Sequence, residues 1–181
     1  MIEYIFLTII QLIFTGIAFV LAPLYVPLAN KDGWLPEWLI WFQTQDNSLD
    51  AGWKIQGNFG TYLQDGTVPT GWTLYKYRVQ WVWRNTAYGF CYWPLGIEIH
   101  PSDWSIDEYQ VDANGGRLLL KAHDIHGHFC YTTNTGWKLG WKIWAYFQGL
   151  DKDGKPMWSD KPWGPEMRTS ICFSVPNPFK K

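Results

Sequence analysis

The sequence predicts an α+β protein: an N-terminal transmembrane helix, a short interfacial helix, then an antiparallel β meander or partly open barrel with one packed helix. Three observations lead there. Residues 4–29 hold no Asp, Glu, Lys, Arg or His. A tryptophan-rich segment follows at once. Beyond it, apolar residues alternate in short runs between turn residues. The expected divisions are 1–29 as anchor, 30–53 as juxtamembrane segment and linker, and 54–181 as a β-rich soluble domain. A formal net charge of −1 gives no broad attraction to nucleic acid. Aromatic residues make up 19% of the chain, including 14 Trp, more than one small core needs. Some are therefore expected at a membrane interface, which suits an apolar ring with an N–H donor.

The continuous helical part runs from Tyr4 to Ala22. At about 1.5 Å per residue it covers roughly 28 Å, close to the hydrocarbon thickness. Pro23 and Pro27 then limit regular helix, because each lacks an N–H and crowds the preceding turn. Gln11 is expected to bind a partner helix or to reach the interface. A cleaved signal peptide is disfavoured. Met1-Ile2-Glu3 carries an acid and no base, and Pro23 follows the best cleavage position at Ala22. Lys31 lies just after the apolar run and no Lys or Arg lies before it, which directs the C-terminal domain to the cytoplasm. Three irregularly spaced cysteines agree, since they form no disulfide framework.

Asn30-Lys31-Asp32-Gly33 reads as a turn. Pro36 suits the first turn of a helix, and Glu37 sits well near its positive end. Trp34, Trp38, Trp41 and Phe42 fall at helical spacing and are the candidate membrane-interface residues, with packing under the domain as the alternative. Asp46, Ser48 and Asp50 match the first spacings of a calcium loop. Ala51 stands where its turn glycine belongs, however, and Gly57 where its glutamate belongs. An Asx-turn linker fits better.

Gly33-Trp34-Leu35-Pro36, Trp41-Phe42-Gln43-Thr44 and Asp46-Asn47-Ser48-Leu49-Asp50 carry a resemblance, extended by Arg84-Asn85-Thr86-Ala87-Tyr88-Gly89-Phe90, Gly140-Trp141-Lys142 and Asn177-Pro178-Phe179. With its apolar N-terminus, the chain resembles a family of small uncharacterised proteins of tailed phages and prophages. Gln45 and Thr86 stand where that family usually has Pro. The resemblance implies a phage origin and carries over no catalytic residue.

Trp72 to Trp83 fits both a strand alternation and a helical face of Leu74, Tyr77, Arg78, Trp81 and Val82. The Asn85 stop and Gly89 favour helix. Arg84 and Tyr88 are a candidate ligand or partner pair, or a loop tether. Later residues read as antiparallel strands. Arg117–His123 and His128–Thr133 are joined by a turn at Asp124–Gly127, and one long strand is expected from Trp137 to Phe147. Asp151-Lys152-Asp153-Gly154 is a hairpin turn, and Thr169–Val175 the last strand.

One cluster bears on metal chemistry. His126, His128 and Cys130, with His123 nearby, would share a strand face as a zinc set, except that Gly127 marks a turn between them. Polar hairpin residues are the alternative. Asp103, Asp107, Glu108 and Asp112 flank Trp104 and Tyr109 as in some carbohydrate sites, and otherwise read as a solvated loop. No Gly-x-Ser-x-Gly, Cys–His–Asn or phosphate-loop signature occurs, and no cofactor is expected.

The resulting expectation is a non-enzymatic, phage-encoded, single-pass protein that presents a β-rich binding domain at the host inner membrane. Its partners would be the lipid bilayer and a host or phage membrane protein, with self-association through the transmembrane helix. A virion or lysis-related membrane component and a membrane-tethered metalloenzyme using residues 123–130 remain as alternatives.

Overall fold

The computed structural model describes residues 1–54, 68–159 and 167–176. Gly57 and the Asn177-Pro178-Phe179 motif lie outside the described residues. The chain divides into two compact units, Ile10–Trp93, and Pro94–Lys181 together with Met1–Ile9.

The Ile10–Trp93 unit is helical. Its elements are the greater part of α1 (Ile2–Tyr25), the 3-10 helices Val26–Leu28 and Glu37–Phe42, α2 (Ala51–Lys54), α3 (Gly71–Arg84) and α4 (Tyr88–Tyr92). α1 runs past Pro23, three residues beyond the expected end at Ala22. The reason lies in α3. Pro23 cannot donate to the Phe19 carbonyl, and Pro27 cannot donate to the Pro23 carbonyl. Trp83 Nε1 donates to Phe19 O at 3.0 Å, and the Tyr75 hydroxyl donates to Pro23 O at 3.2 Å. Two side chains of one helix thus replace the two N–H groups the prolines lack.

α3 settles the helix-or-strand ambiguity at residues 72–83 in favour of helix. Its buried face is Arg78, Val79, Trp81 and Val82. It stops where Asn85 turns its N–H back to the carbonyls of Trp81 and Val82. Val79, Trp81 and Val82 join Ala22, Tyr25, Val26, Leu35, Leu39 and Leu49 in one core.

The other unit is built from antiparallel strands: β1 (Ile97–Glu98), β2 (Trp104–Val111), β3 (Arg117–Asp124), β4 (Phe129–Thr133), β5 (Lys138–Trp141), β6 (Phe147–Leu150), β7 (Pro156–Trp158), β8 (Arg168–Thr169) and β9 (Ile171–Ser174). The main sheet has the order β2-β3-β4-β5-β9. It is an open meander extended by β9, with β2 and β9 at its edges, so the partly open barrel is excluded. β6 and β7 form a separate hairpin over the Asp151–Gly154 turn, and β1 pairs with β8.

Two expectations need correction here. The long strand from 137 to 147 is broken into β5, a 3-10 turn at Ile143–Ala145, and β6. Gly140 has φ +86°, and a Cβ there would collide with the Phe129 carbonyl, so the alternation cannot run straight through it. The acidic stretch after Asp103 is strand β2, not a solvated loop. Between Ile106, opposite Ala122, and Glu108, opposite Lys121, Asp107 is an extra residue. This bulge places two consecutive charged residues in solvent and hides the alternation.

The core of this unit gathers Trp104, Leu120, Ala122, Cys130, Ile143 and Tyr146. Trp141 is fully buried, and its indole N–H donates to Leu95 O at 3.2 Å. From the first turn of α1, Tyr4 sets its ring edge against Phe129 and donates its hydroxyl to Cys172 O at 2.8 Å.

Candidate functional site

Among the described residues, one helix is long and apolar enough to cross a membrane, Ile2–Leu28. The polarity of α1 is inside out. Its buried side chains are Tyr4, Thr8, Ala18, Ala22 and Tyr25, at alternating three- and four-residue spacing together with the half-buried Gln11 and Thr15. Its exposed side chains are large and aliphatic, among them Ile13, Ile17, Val20 and Leu24, the last two 71% exposed. A helix on a water-soluble surface shows the reverse, with apolar residues inward. Small and polar residues toward protein with bulky ones outward is the arrangement of a helix solvated by hydrocarbon. Gln11, expected at a helix contact or the interface, is half-buried, and its Oε1 has no hydrogen-bond partner among the described residues.

The four candidate interface residues separate into two groups. Trp38 is 74% exposed, and Trp41 and Trp34 are exposed to a lesser degree. Phe42 turns inward and stacks on Phe14 at 5.0 Å and on Tyr25 at 4.8 Å. The cause is the 3-10 winding of Glu37–Phe42. With three residues per turn, positions i and i+3 eclipse, so Trp38 and Trp41 share one side while Leu39 and Phe42 share the other. Trp72, at the start of α3, is 70% exposed.

Behind these aromatics lies a buried polar knot. Asp50 Oδ1 accepts from Arg78 Nε at 2.6 Å, and the rest of the guanidinium reaches the Asn30 and Lys31 carbonyls, each at 3.4 Å. Both side chains are buried. Gln43 Oε1 accepts the Leu35 N–H at 2.9 Å, the Thr44 hydroxyl donates to Asn47 O, and the Leu49 N–H donates to Gly33 O. The stretch read as a linker is therefore an interior scaffold. The Gly89 N–H closes it from α4 by donating to Gln43 O at 2.7 Å. A Cβ on Gly89 would lie 2.6 Å from Gln43 O and 2.7 Å from Ile40 O. Arg84 ends α3 exposed and Tyr88 opens α4 half-buried, with the buried Ala87, at φ +54°, in the turn between them. The Asp50–Arg78 pair carried no signal in the sequence. Tyr75 and Trp83 had one, since Pro23 and Pro27 each leave a carbonyl in need of a donor.

The histidine set does not converge. Among the described residues no group of three His, Cys, Asp or Glu could hold a metal ion. Each histidine has its own carboxylate. His123 meets Asp107 at 2.8 Å, His126 lies 3.8 Å from Asp103, and His128 Nδ1 is 2.7 Å from Asp124. His126 stands exposed in the turn while Cys130 is enclosed in the core, and burial pushes the Cys130 thiol up to about 12. The metalloenzyme reading is set aside on this geometry. Asp124 instead organises the β3–β4 hairpin, accepting the N–H groups of His126 and His128 at 2.9 and 2.8 Å. Burial pushes its carboxyl up. The hydrogen bonds and charge of His128, with the His126 N–H, outweigh this and leave Asp124 below the usual carboxylate range.

β2 and the β6–β7 hairpin line an open groove of about 430 Å³ that includes Trp104, Asp107, Glu108 and Tyr109. Its carboxylates are engaged. Asp107 pairs with His123, and Glu108 with Lys121, whose hydrogen bond holds the Glu108 carboxyl low. Asp112 caps its own turn through the N–H groups of Asn114 and Gly116.

These features define a membrane-associated protein with an apolar N-terminal helix and a β-rich domain. The chain belongs to a family of unknown function, DUF7338, whose model matches residues 1–181. No curated protein and no solved structure matches it.

Proposed function

We propose that this protein is a phage-encoded, membrane-anchored accessory protein that holds a β-rich binding module at the host inner membrane, on its cytoplasmic side. The observation that carries this reading is the reversed polarity of α1, which buries small and polar residues and exposes Ile13, Ile17, Val20 and Leu24. The motifs shared in resemblance with tailed-phage proteins support the origin, and Lys31 directly after the apolar run supports the sidedness. Binding is favoured over catalysis because the side chains best suited to chemistry have structural partners. Asp50 is paired with Arg78, Asp124 with His128, and the Cys130 thiol is held in its neutral form by burial. Both a full crossing and insertion into one leaflet would bury the exposed face of α1.

The test is fractionation of cells expressing the full chain with a C-terminal tag. A membrane pellet that resists salt and carbonate, with the tag protected from protease in spheroplasts, is the expected result. A soluble product would overturn the anchor. A tag cleaved from outside would overturn the cytoplasmic placement and favour an envelope or lysis role.

A further inference from the structure

Resting on the anchor reading above, we propose that α1 lies lengthwise in one leaflet of the bilayer, its exposed face among acyl chains and its opposite face sealed by its own chain. The sealing is visible within the Ile10–Trp93 unit. Phe14, near the middle of α1, stacks on Phe90 at 3.8 Å and on Phe42 at 5.0 Å. Further on, Phe19 stacks on Trp83 at 5.2 Å. The carbonyls of Phe19 and Pro23, orphaned by the prolines, are bonded to Trp83 and Tyr75. α3 is thus fastened to the second half of α1, and Glu37–Phe42 to its middle and, through Tyr25, to its end.

These elements carry charge. Lys76, Arg84 and Glu37 are exposed on them, and the Asp50–Arg78 pair is buried among them. If α1 crossed the bilayer, these groups would be drawn to the depth of its middle and second half, into hydrocarbon. A helix lying in the plane leaves them on the water side, inserting its apolar face only about 5–10 Å.

The occupant of the exposed face is lipid rather than a second copy. The face has no ionisable group between Glu3 and Lys31. It presents bulky Leu, Ile and Val with Gly16 as a lone small residue among them, while Ala18 and Ala22, at the four-residue spacing that lets helices approach, are turned inward. The exposed indoles of Trp38, Trp41 and Trp72 belong to the same unit, and their amphipathic rings suit the headgroup level.

The test uses the full chain with Cys172→Ser as background, because Cys91 and Cys130 are buried. Nitroxide labels are placed at Ile13→Cys, Ile17→Cys, Val20→Cys and Leu24→Cys, one per variant. Each labelled chain is bound to vesicles of phosphatidylethanolamine and phosphatidylglycerol and its depth read from collision with oxygen and with a nickel chelate. The expected result is one shallow depth for all four labels. In a crossing helix Ile13 would sit near the midplane and Leu24 about 16 Å shallower, at about 1.5 Å per residue. Such a gradient would overturn the one-leaflet seat and leave the anchor standing. Failure of the unlabelled chain to float with the vesicles would overturn both.

Discussion

In the Ile10–Trp93 unit, side chains close the gaps in the backbone. Tyr75 and Trp83 serve the carbonyls that two prolines leave open, Gln43 serves the Leu35 N–H, and Arg78 reaches the carbonyls of Asn30 and Lys31. In the Pro94–Lys181 unit, strands close their own ladders and Asp112, Asp124 and Asp151 close turns, while long-range side-chain bonds such as Trp141 to Leu95 O, Tyr146 to Arg168 O and Arg168 to Gly96 O join elements whose backbone is largely paired already. The difference shows where each unit is vulnerable. A sheet distributes its backbone bonds over many residues, so losing one side chain costs mostly packing. The helical unit concentrates them in a few long-range polar contacts, each of which leaves a buried group without a partner when removed.

The comparison can be broken most sharply at the polar knot. Arg78→Met leaves the buried Asp50 carboxylate with only the more distant Lys54 ammonium, at 3.8 Å, and is expected to cost about 3–5 kcal/mol in urea denaturation in detergent micelles. Adding Asp50→Leu should recover much of that, since the buried carboxylate is gone and only the long bonds to the Asn30 and Lys31 carbonyls stay lost. A double variant as unstable as the single one would mean that packing, not charge, dominates there. In the sheet, Leu120→Ala removes a fully buried side chain between β2 and β4 and should cost about 2–5 kcal/mol through the cavity it leaves. Gly89→Ala forces α4 away from Gln43 and Ile40, and overpacking of this kind costs about 1–3 kcal/mol. A melting temperature unchanged by that variant would show that α4 is not clamped where the structure places it.

Smaller effects sharpen the contrast. Trp83→Phe and Tyr75→Phe each remove one hydrogen bond to α1 and should cost about 1 kcal/mol. Their sum should exceed either alone, because they serve different carbonyls. Asp124 tests the turn side. Its folded-state pKa is depressed, so its contribution is present above the unfolded carboxylate value of about 3.9 and is lost as pH falls through the lower folded value. Asp124→Asn should therefore lower the melting temperature at neutral pH and flatten its fall below about pH 4. An unchanged acid limb would locate that pH dependence in other carboxylates.

The reversed polarity of α1 was only partly legible beforehand. The run without charge between Tyr4 and Ala29 already indicated a hydrocarbon environment, because composition and length are local properties. The same holds for α3, whose period runs through Arg78, Trp81 and Val82, and for the turns at Asp124 and Asp151, whose residue types favour them. Strand β2 was not legible, because the bulge at Asp107 breaks the alternation that betrays a strand. The break in the long strand was not legible, because only the neighbouring Phe129 carbonyl shows why the alternation fails at Gly140, three residues before the chain turns at Ile143–Ala145. The histidine set looked like a ligand group while its members shared a few residues of sequence. Pairing across strands assigned each of them to a separate carboxylate.

The sequence by itself determined that this protein has an apolar helix, a helical segment after it and an antiparallel β-rich remainder, since periodicity, turn chemistry and charge are read over a few neighbouring residues. Tertiary structure alone decided that Asp50 meets Arg78 across 28 residues and that Trp83 serves Phe19 across 64. The physical reason is that a buried polar group must find a partner in space, and no local pattern records which distant side chain will arrive.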